Sequence, residues 1–210
     1  NKLKLNKKMK SKIILVGAGT HANSCIDVIE LEKKFSIYGL IDKIKPISKA
    51  TARHKYLGND TKLKAIRKHV DKAIVSIGFI YDFTARNKVF NKIVKLKFKI
   101  PKIVSPISYI SNNSTIGPGS IIFHNVIINS NVHIGTNCII NTNALIEHDV
   151  TIGNNSHIST GTIINGCVTI GVNTFIGSGS IICDNVKIGN NCFIKMGSKI
   201  TKDVTNNSKI

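Results

Sequence analysis

The sequence predicts two architectures in tandem: an α/β domain with a parallel sheet over residues 12–103, and an all-β coil of six-residue repeats over residues 104–210. Three observations carry this. Short apolar runs alternate with helical patterns through the first half, the signature of a parallel sheet with right-handed crossovers. A Gly-x-Gly-x-x-Ala string separates the first run from the first helical pattern. Isoleucine then stands at every sixth position from Ile110 to Ile200, sixteen times without a break.

Residues 1–11 begin Asn1-Lys2-Leu3-Lys4-Leu5-Asn6-Lys7-Lys8. They lack the apolar centre of a signal peptide and are expected to be a flexible basic extension outside the fold. Lys12 to Val16 reads as a buried strand, followed by Gly17-Ala18-Gly19-Thr20-His21-Ala22 and a helix with Ile26, Val28 and Ile29 inward, ending near Glu32. Ser36 to Ile41 reads as a second strand ending at Asp42. Residues 60–70 read as a helix, Ala73 to Ile77 as a third strand closed by Gly78, and residues 82–96 as an amphipathic helix.

Gly17, Gly19 and Ala22 fit the Rossmann-like fingerprint, and Asp42 stands at the end of the next strand, where the fingerprint places its acid. Glycine lets backbone N–H groups approach a diphosphate, and the helix N-terminus adds roughly half a positive charge. By these rules alone the ligand is NAD. The same geometry serves any diphosphate nucleotide, so the first half does not choose among them.

In the second half, side chains of a strand alternate in and out. In a hexad starting at isoleucine, that residue and the fifth point inward. The fifth positions, from Ser114 to Val204, are all Ser, Thr, Ala, Cys or Val. Columns of one wide and one narrow residue fill a slender prism. Fifteen of the sixteen fourth positions are Asn, Asp or Gly, which tolerate a left-handed backbone at a corner; Cys167 is the exception. Three faces and three corners close one coil in three hexads, which defines a hexapeptide β-helix. Each inward isoleucine contributes on the order of 1.5–3 kcal/mol by burial.

The chain has 30 Lys and Arg against 11 Asp and Glu, a net charge of +19. Residues 1–103 hold 25 basic and 7 acidic residues, whereas residues 104–210 hold 5 and 4. A dispersed Lys-rich surface is mostly solvation; what remains is an electrostatic pull on anionic small molecules such as nucleotides. No aromatic-basic motif for nucleic acid is present, and no apolar run approaches a membrane span. Five cysteines without paired spacing indicate a reducing, cytoplasmic setting.

The hexad Ile146-Glu147-His148-Asp149-Val150 is the only one with Glu, His and Asp together. His148 is placed at a corner, pointing outward. Asp149 occupies a fourth position, where the corner alone calls for it. His157 is expected to point outward from a flat face, and Gly166, three hexads after His148, to stack on it one coil away. An outward His beside an acid and an exposed glycine suits general-base catalysis; a solvated surface His is the plain alternative. Zinc enzymes on the same helix use a His-x-x-x-x-His pair, which His124, His133, His148 and His157 do not form, so no metal is expected.

The opening GAGTHA and the stretch INTNALIEHDVTIGNNSHISTGTIINGCVTIG, within residues 12–204, resemble the NeuD/PglD-type sugar acyltransferase family. The resemblance implies a left-handed β-helix, a homotrimer with sites between subunits, and transfer of acetyl from acetyl-CoA to the amino group of a nucleotide-activated sugar. A UDP-4-amino-4,6-dideoxy sugar for glycan synthesis is the expected acceptor. It makes His148 the general base and Asp149 its orienting partner. Asn141, His157 and the Gly166 amide are then expected at acetyl-CoA. Gly17, Gly19, His21, Asp42, Lys43, Gly78 and Arg86 are expected at the nucleotide sugar, which demotes NAD. Three departures stand out: Lys43 replaces a second acid, Phe79 follows Gly78 where Asn is usual, and the sequence ends at Ile210 ahead of the usual Gly-x-Pro-Ala-Lys segment. O-acetylation of a sialic-acid type sugar is the alternative within the family. A dinucleotide-binding protein with a purely structural β-helix is the alternative outside it.

Overall fold

A computed structural model describes residues 10–46 and 48–210; the first nine residues of the expected basic extension lie outside that description. Strand β1 (Ser11–Val16) runs parallel to β2 (Phe35–Ile41) and β3 (Ala73–Val75), in the order β2-β1-β3. Its residues Ile13 to Val16 are buried because both faces of the sheet are covered. Helix α1 (Thr20–Glu32) packs Cys25, Ile26, Val28 and Ile29 inward and stops at Lys33, whose left-handed backbone turns its N–H onto the Ile29 carbonyl.

The helix expected over residues 60–70 is subdivided. A short α2 (Lys49–Ala52), not foreseen, is capped by Ser48. A 3₁₀ turn at Asp60–Lys62 then leads into a single turn, α3 (Leu63–Ile66). Beyond it the winding tightens, with Lys68 N–H on the Ala65 carbonyl and His69 N–H on the Ile66 carbonyl. Lys64 and Lys68 are like charges one turn apart, which weakens a regular helix there. Helix α4 (Thr84–Lys95) buries Arg86 and Ile93 and follows the expected span closely.

From Ile103 onward the chain coils through two-residue strands that stack into three parallel sheets of six, six and five strands. Partners are three hexads apart, as in Ile139 with His157 and His157 with Phe175. Fourteen of the sixteen ladder isoleucines, Ile122 to Ile200, are no more than 7% exposed. From Ser120 to Cys192 the narrow inward column is buried too, and its hydroxyls find partners along the chain: Ser120, Ser156 and Thr174 each donate to a carbonyl 15 residues on. That satisfies the polar groups a prism core would otherwise strand. The corner residues from Gly119 to Gly197 all have positive φ, Cys167 included at 60°.

The two domains share one core. Ile103, Ile121, Phe123, Ile139 and Phe175, on the outside of the first face of the coil, join β1 and α1 in a single apolar cluster. Polar staples flank it. His124 bonds Ser105 through Nδ1 and Asp27 of α1 through Nε2 (2.7 and 2.8 Å), and Asn87 of α4 bonds both Asn137 and Asn173. The α/β domain is therefore docked on the first face, which leaves the other two faces of the coil uncovered by it. No helix among the described residues is long and apolar enough to cross a membrane.

Candidate functional site

Between the β1–α1 turn, the loop after β3 and the first face of the coil lies a cavity of about 840 Å³. Three glycines shape it for different reasons. Gly17 has φ 114° and sits so close to Ile77 that a Cβ would approach the Ile77 side chain to 2.5 Å. Gly19 faces open space, so a ligand meets bare backbone there. Gly78 lies against the His21 ring, where a Cβ would come within 2.9 Å. Gly19 caps α1 without any side-chain bond, so the first-turn amides face the cavity with their partial positive charge.

Asp42 holds the turn from the far side. Its carboxylate accepts from the Ala18 and Lys43 amides at 2.5 and 2.6 Å. Lys43, Lys88 and Lys92 surround the mouth, with Lys92 bonded to Asp60 at 2.8 Å. Lys88 and Lys92, one turn apart on α4, are not singled out by the sequence. Their spacing is the available signal, hidden among many lysines.

His21 lines the cavity with its Nε2 buried and unpartnered. Burial, and then the Arg86 charge, push its pKa down to about 4, so the ring is neutral. His157 does point out from the first face, but into the domain junction rather than to solvent, and it is 5% exposed. Its Nδ1 is 2.7 Å from the Phe79 carbonyl. A carbonyl only accepts, so Nδ1 carries the proton and Nε2 offers a lone pair, 3.5 Å from Asn141 Nδ2. Burial drives the pKa of His157 down to about 3, with smaller contributions from His21 and Arg86. Phe79 packs edge-on to His157 and near Phe175, so the residue that departs from the family pattern serves the domain contact.

Arg86 corrects the expectation that it lines the pocket. It is completely buried, and its guanidinium donates to the carbonyls of Val75 and Ile77 in the α/β domain and of Asn137 in the coil. Burial lowers its pKa to about 10, so it stays charged at neutral pH.

His148 stands elsewhere. It is at the corner between the second and third faces, with its side chain 58% exposed. Its Nδ1 is 2.8 Å from Asp149 Oδ2, while Asn131 Nδ2 holds the other carboxylate oxygen at 3.2 Å. With the proton on Nδ1 toward the carboxylate, Nε2 is left as a free base. The Asp149 hydrogen bond, then the charges of Asp149, Glu147 and Asp184, raise the His148 pKa. Gly166 does stack on the ring: a Cβ there would lie 2.8 Å from Cε1 and 2.9 Å from Nε2. Its amide is not free, because it donates to Asp184 Oδ1 at 3.2 Å; what Gly166 offers is room. Gly166→Ala is therefore expected to displace the imidazole tip without a loss of melting temperature. A misplacement on that scale costs on the order of 100-fold in rate, measurable as kcat beside an unchanged unfolding curve. The remaining histidines part company: His124 holds Asp27 and His133 faces Thr115 at 2.9 Å, so these four histidines form no common metal site.

Residues 12–93 match the family described as the PglD N-terminal domain, and residues 167–202 match the bacterial transferase hexapeptide family, six repeats. The chain thus joins a PglD-type N-terminal domain to a left-handed parallel β-helix whose later coils match the hexapeptide repeat. More particularly, it shares its whole fold with solved structures that include acetyltransferases. PerB from Caulobacter crescentus, solved with CoA and GDP-perosamine, superposes with a TM-score of 0.85 at 23% identity, covering 93% of this chain and 91% of that one. The acetyltransferase domain of PglB from Neisseria gonorrhoeae, solved with acetyl coenzyme A, gives 0.87 at 20% identity, covering 96% of each. WeeI from Acinetobacter baumannii gives 0.73 at 20% identity, covering 95% and 96%. No curated protein sequence matches significantly.

Proposed function

We propose that this chain transfers acetyl from acetyl-CoA to the amino group of a nucleotide-activated sugar, a 4-amino-4,6-dideoxy sugar by preference. The observation that carries this reading is the division of labour between a glycine-walled cavity rimmed by lysines and a corner imidazole whose Nε2 is free. The diphosphate lies against the Gly17–His21 turn and the α1 amides. Asp42 and Lys43 flank the ribose and base, and the sugar extends toward Asn141 and His157, which share that cavity and are reassigned here from the acetyl-CoA role expected of them. The His157 Nε2 lone pair accepts from a ligand N–H or O–H there.

His148 Nε2 then takes the proton from the attacking amine as its nitrogen bonds to the thioester carbonyl carbon. The C–S bond breaks, and the proton passes to the departing CoA thiolate. Asp149 acts through His148, holding the tautomer. No covalent enzyme intermediate is needed; positioning and proton removal supply the rate.

The cavity opens beside the corner between the first and second faces, where Asn141 sits. His148 is at the next corner, a full face away, roughly 15 Å for extended chain at about 3.3 Å per residue. One copy does not bring both to the same atom. A threefold assembly sets the dyad of one copy against the cavity of the next, so the proposed homotrimer completes the site. Mixed assemblies test this: His148→Ala co-assembled with a cavity-blocked Gly19→Phe partner, whose new side chain enters open space, should regain activity that neither variant has alone. Mixing without any recovery, with assembly verified, excludes the shared site.

Nucleotide choice is read by thermal shift with UDP, GDP and dTDP sugars, where a ligand at 100 times its Kd adds about 2.7 kcal/mol. A stabilisation by NAD alone sinks the sugar-nucleotide reading. The pH profile tests the dyad. A base with a raised pKa works only above it, so the acid limb of kcat/KM should lie above the ordinary histidine value of about 6.5. Asp149→Asn removes the raising carboxylate and should move that limb to lower pH while lowering the plateau. An unmoved limb assigns it to another group.

A further inference from the structure

We propose that His148, Asp149 and Cys167 form a binding site for a thiophilic divalent cation of the zinc class, and that its occupancy silences the site. A ring nitrogen, a carboxylate oxygen and the thiol sulfur all lie within 4.8 Å of one another, and all three residues are exposed. Asp149 and Cys167 are consecutive rungs of one corner, one full coil apart, and share the same left-handed backbone with φ 60°. Their side chains therefore leave the coil in the same direction. The Cys167 amide is bonded to the His148 carbonyl at 3.0 Å, which fixes the thiol's rung against the histidine. Gly166 puts no side chain between them.

Cys167 is also the single departure from Asn, Asp or Gly among the sixteen corner positions, and it falls on the rung above the His–Asp pair. Around the cluster stand Glu147 and Asp184, a negative locale that favours a cation. Donors of nitrogen, oxygen and sulfur suit zinc, whereas calcium and magnesium require cages of oxygen. Zn–S of about 2.3 Å and Zn–N of about 2.0 Å put ligand atoms roughly 3.5 Å apart. Exposed side chains close that difference by small χ rotations. Three protein ligands leave a fourth position for water, and binding releases the thiol proton to solvent.

The consequence rests on the reading of His148 as the base. Coordination at Nε2 occupies the lone pair that removes the amine proton. Coordination at Nδ1 leaves the proton on Nε2. Either way the base is lost, reversibly, so the ion is an inhibitor and not a cofactor.

Cobalt(II) is the probe for the site itself. Titrated into the full chain, it should develop a thiolate-to-cobalt charge-transfer band, displaced by zinc and absent from both Cys167→Asn and His148→Ala. The second arm is the acetyl-transfer assay. Cys167→Asn restores the usual corner residue, so it should keep the basal rate while losing at least tenfold in sensitivity to zinc, and a chelator should reverse inhibition of the native chain. No thiolate band, or an equal band in Cys167→Asn, overturns the site whatever the activity proves to be. A cobalt band together with full activity in saturating zinc overturns the silencing and leaves the site. If no acceptor is turned over at all, the band alone decides the site, and the failure belongs to the functional reading.

Discussion

His148→Ala should lower acetyl transfer by 10²- to 10⁴-fold, the usual range for a lost general base, with no change in melting temperature. The two halves of this expectation have separate causes. The side chain is 58% exposed and contributes nothing to the prism, so its removal leaves no cavity and no unpaired buried group. Only Asp149 bonds its ring, at 2.8 Å, and that carboxylate keeps Asn131 as a partner. The rate, by contrast, depends on the one free imidazole lone pair at that corner. Because positioning by the cavity survives, KM for the nucleotide sugar should stay within a few-fold while kcat falls. Unimpaired turnover in this variant would remove His148 from the mechanism.

The largest stability effect should come from Arg86. Arg86→Met keeps much of the side chain's length and removes a buried charge, which by itself is favourable. It also strips the donor from the carbonyls of Val75, Ile77 and Asn137 at once. Buried acceptors left unpaired cost about 1–3 kcal/mol each, so a net loss of about 2–4 kcal/mol is expected. For a chain of this size that corresponds to a fall of roughly 5–15 °C in melting temperature. Arg86→Lys should recover only part of it, since a single ammonium cannot spread donors over both domains as a guanidinium does. Burial is the larger cause of the neutral state of His21 and His157, so both stay neutral in Arg86→Met; because Arg86 holds the Ile77 carbonyl in the cavity wall, nucleotide-sugar binding should weaken along with stability. A calorimetric scan of both variants checks the first point, and nucleotide binding at low temperature the second.

Much of the fold is legible because a β-helix writes its geometry into a short period. The isoleucine ladder, the small fifth column and the Asn-rich corners each have one physical reason, and the burial and backbone angles follow them position by position. The period also carries Gly166 onto His148 and Cys167 onto Asp149, since both pairs are three hexads apart. What it cannot carry is the choice of which face the first domain covers. Outward residues of all three faces read alike, so His157 is expected only to point outward from a flat face, and it lies sealed in the junction. Arg86 misleads for a related reason. Its partners are backbone carbonyls, which leave no trace in side-chain identity, so the resemblance carries a buried cation over as a residue of the nucleotide-sugar pocket. The helix over residues 60–70 breaks up where basic residues crowd one turn, a matter of local electrostatics beneath a correct apolar spacing.

Acetyl transfer to a nucleotide-linked amine is read from release of CoA thiol when the chain is mixed with acetyl-CoA and, separately, UDP-, GDP- and dTDP-linked 4-amino sugars. Thiol release stoichiometric with N-acetylated sugar nucleotide is expected for one of these, and its loss in His148→Ala. No release with any of them, or release undiminished in that variant, contradicts it.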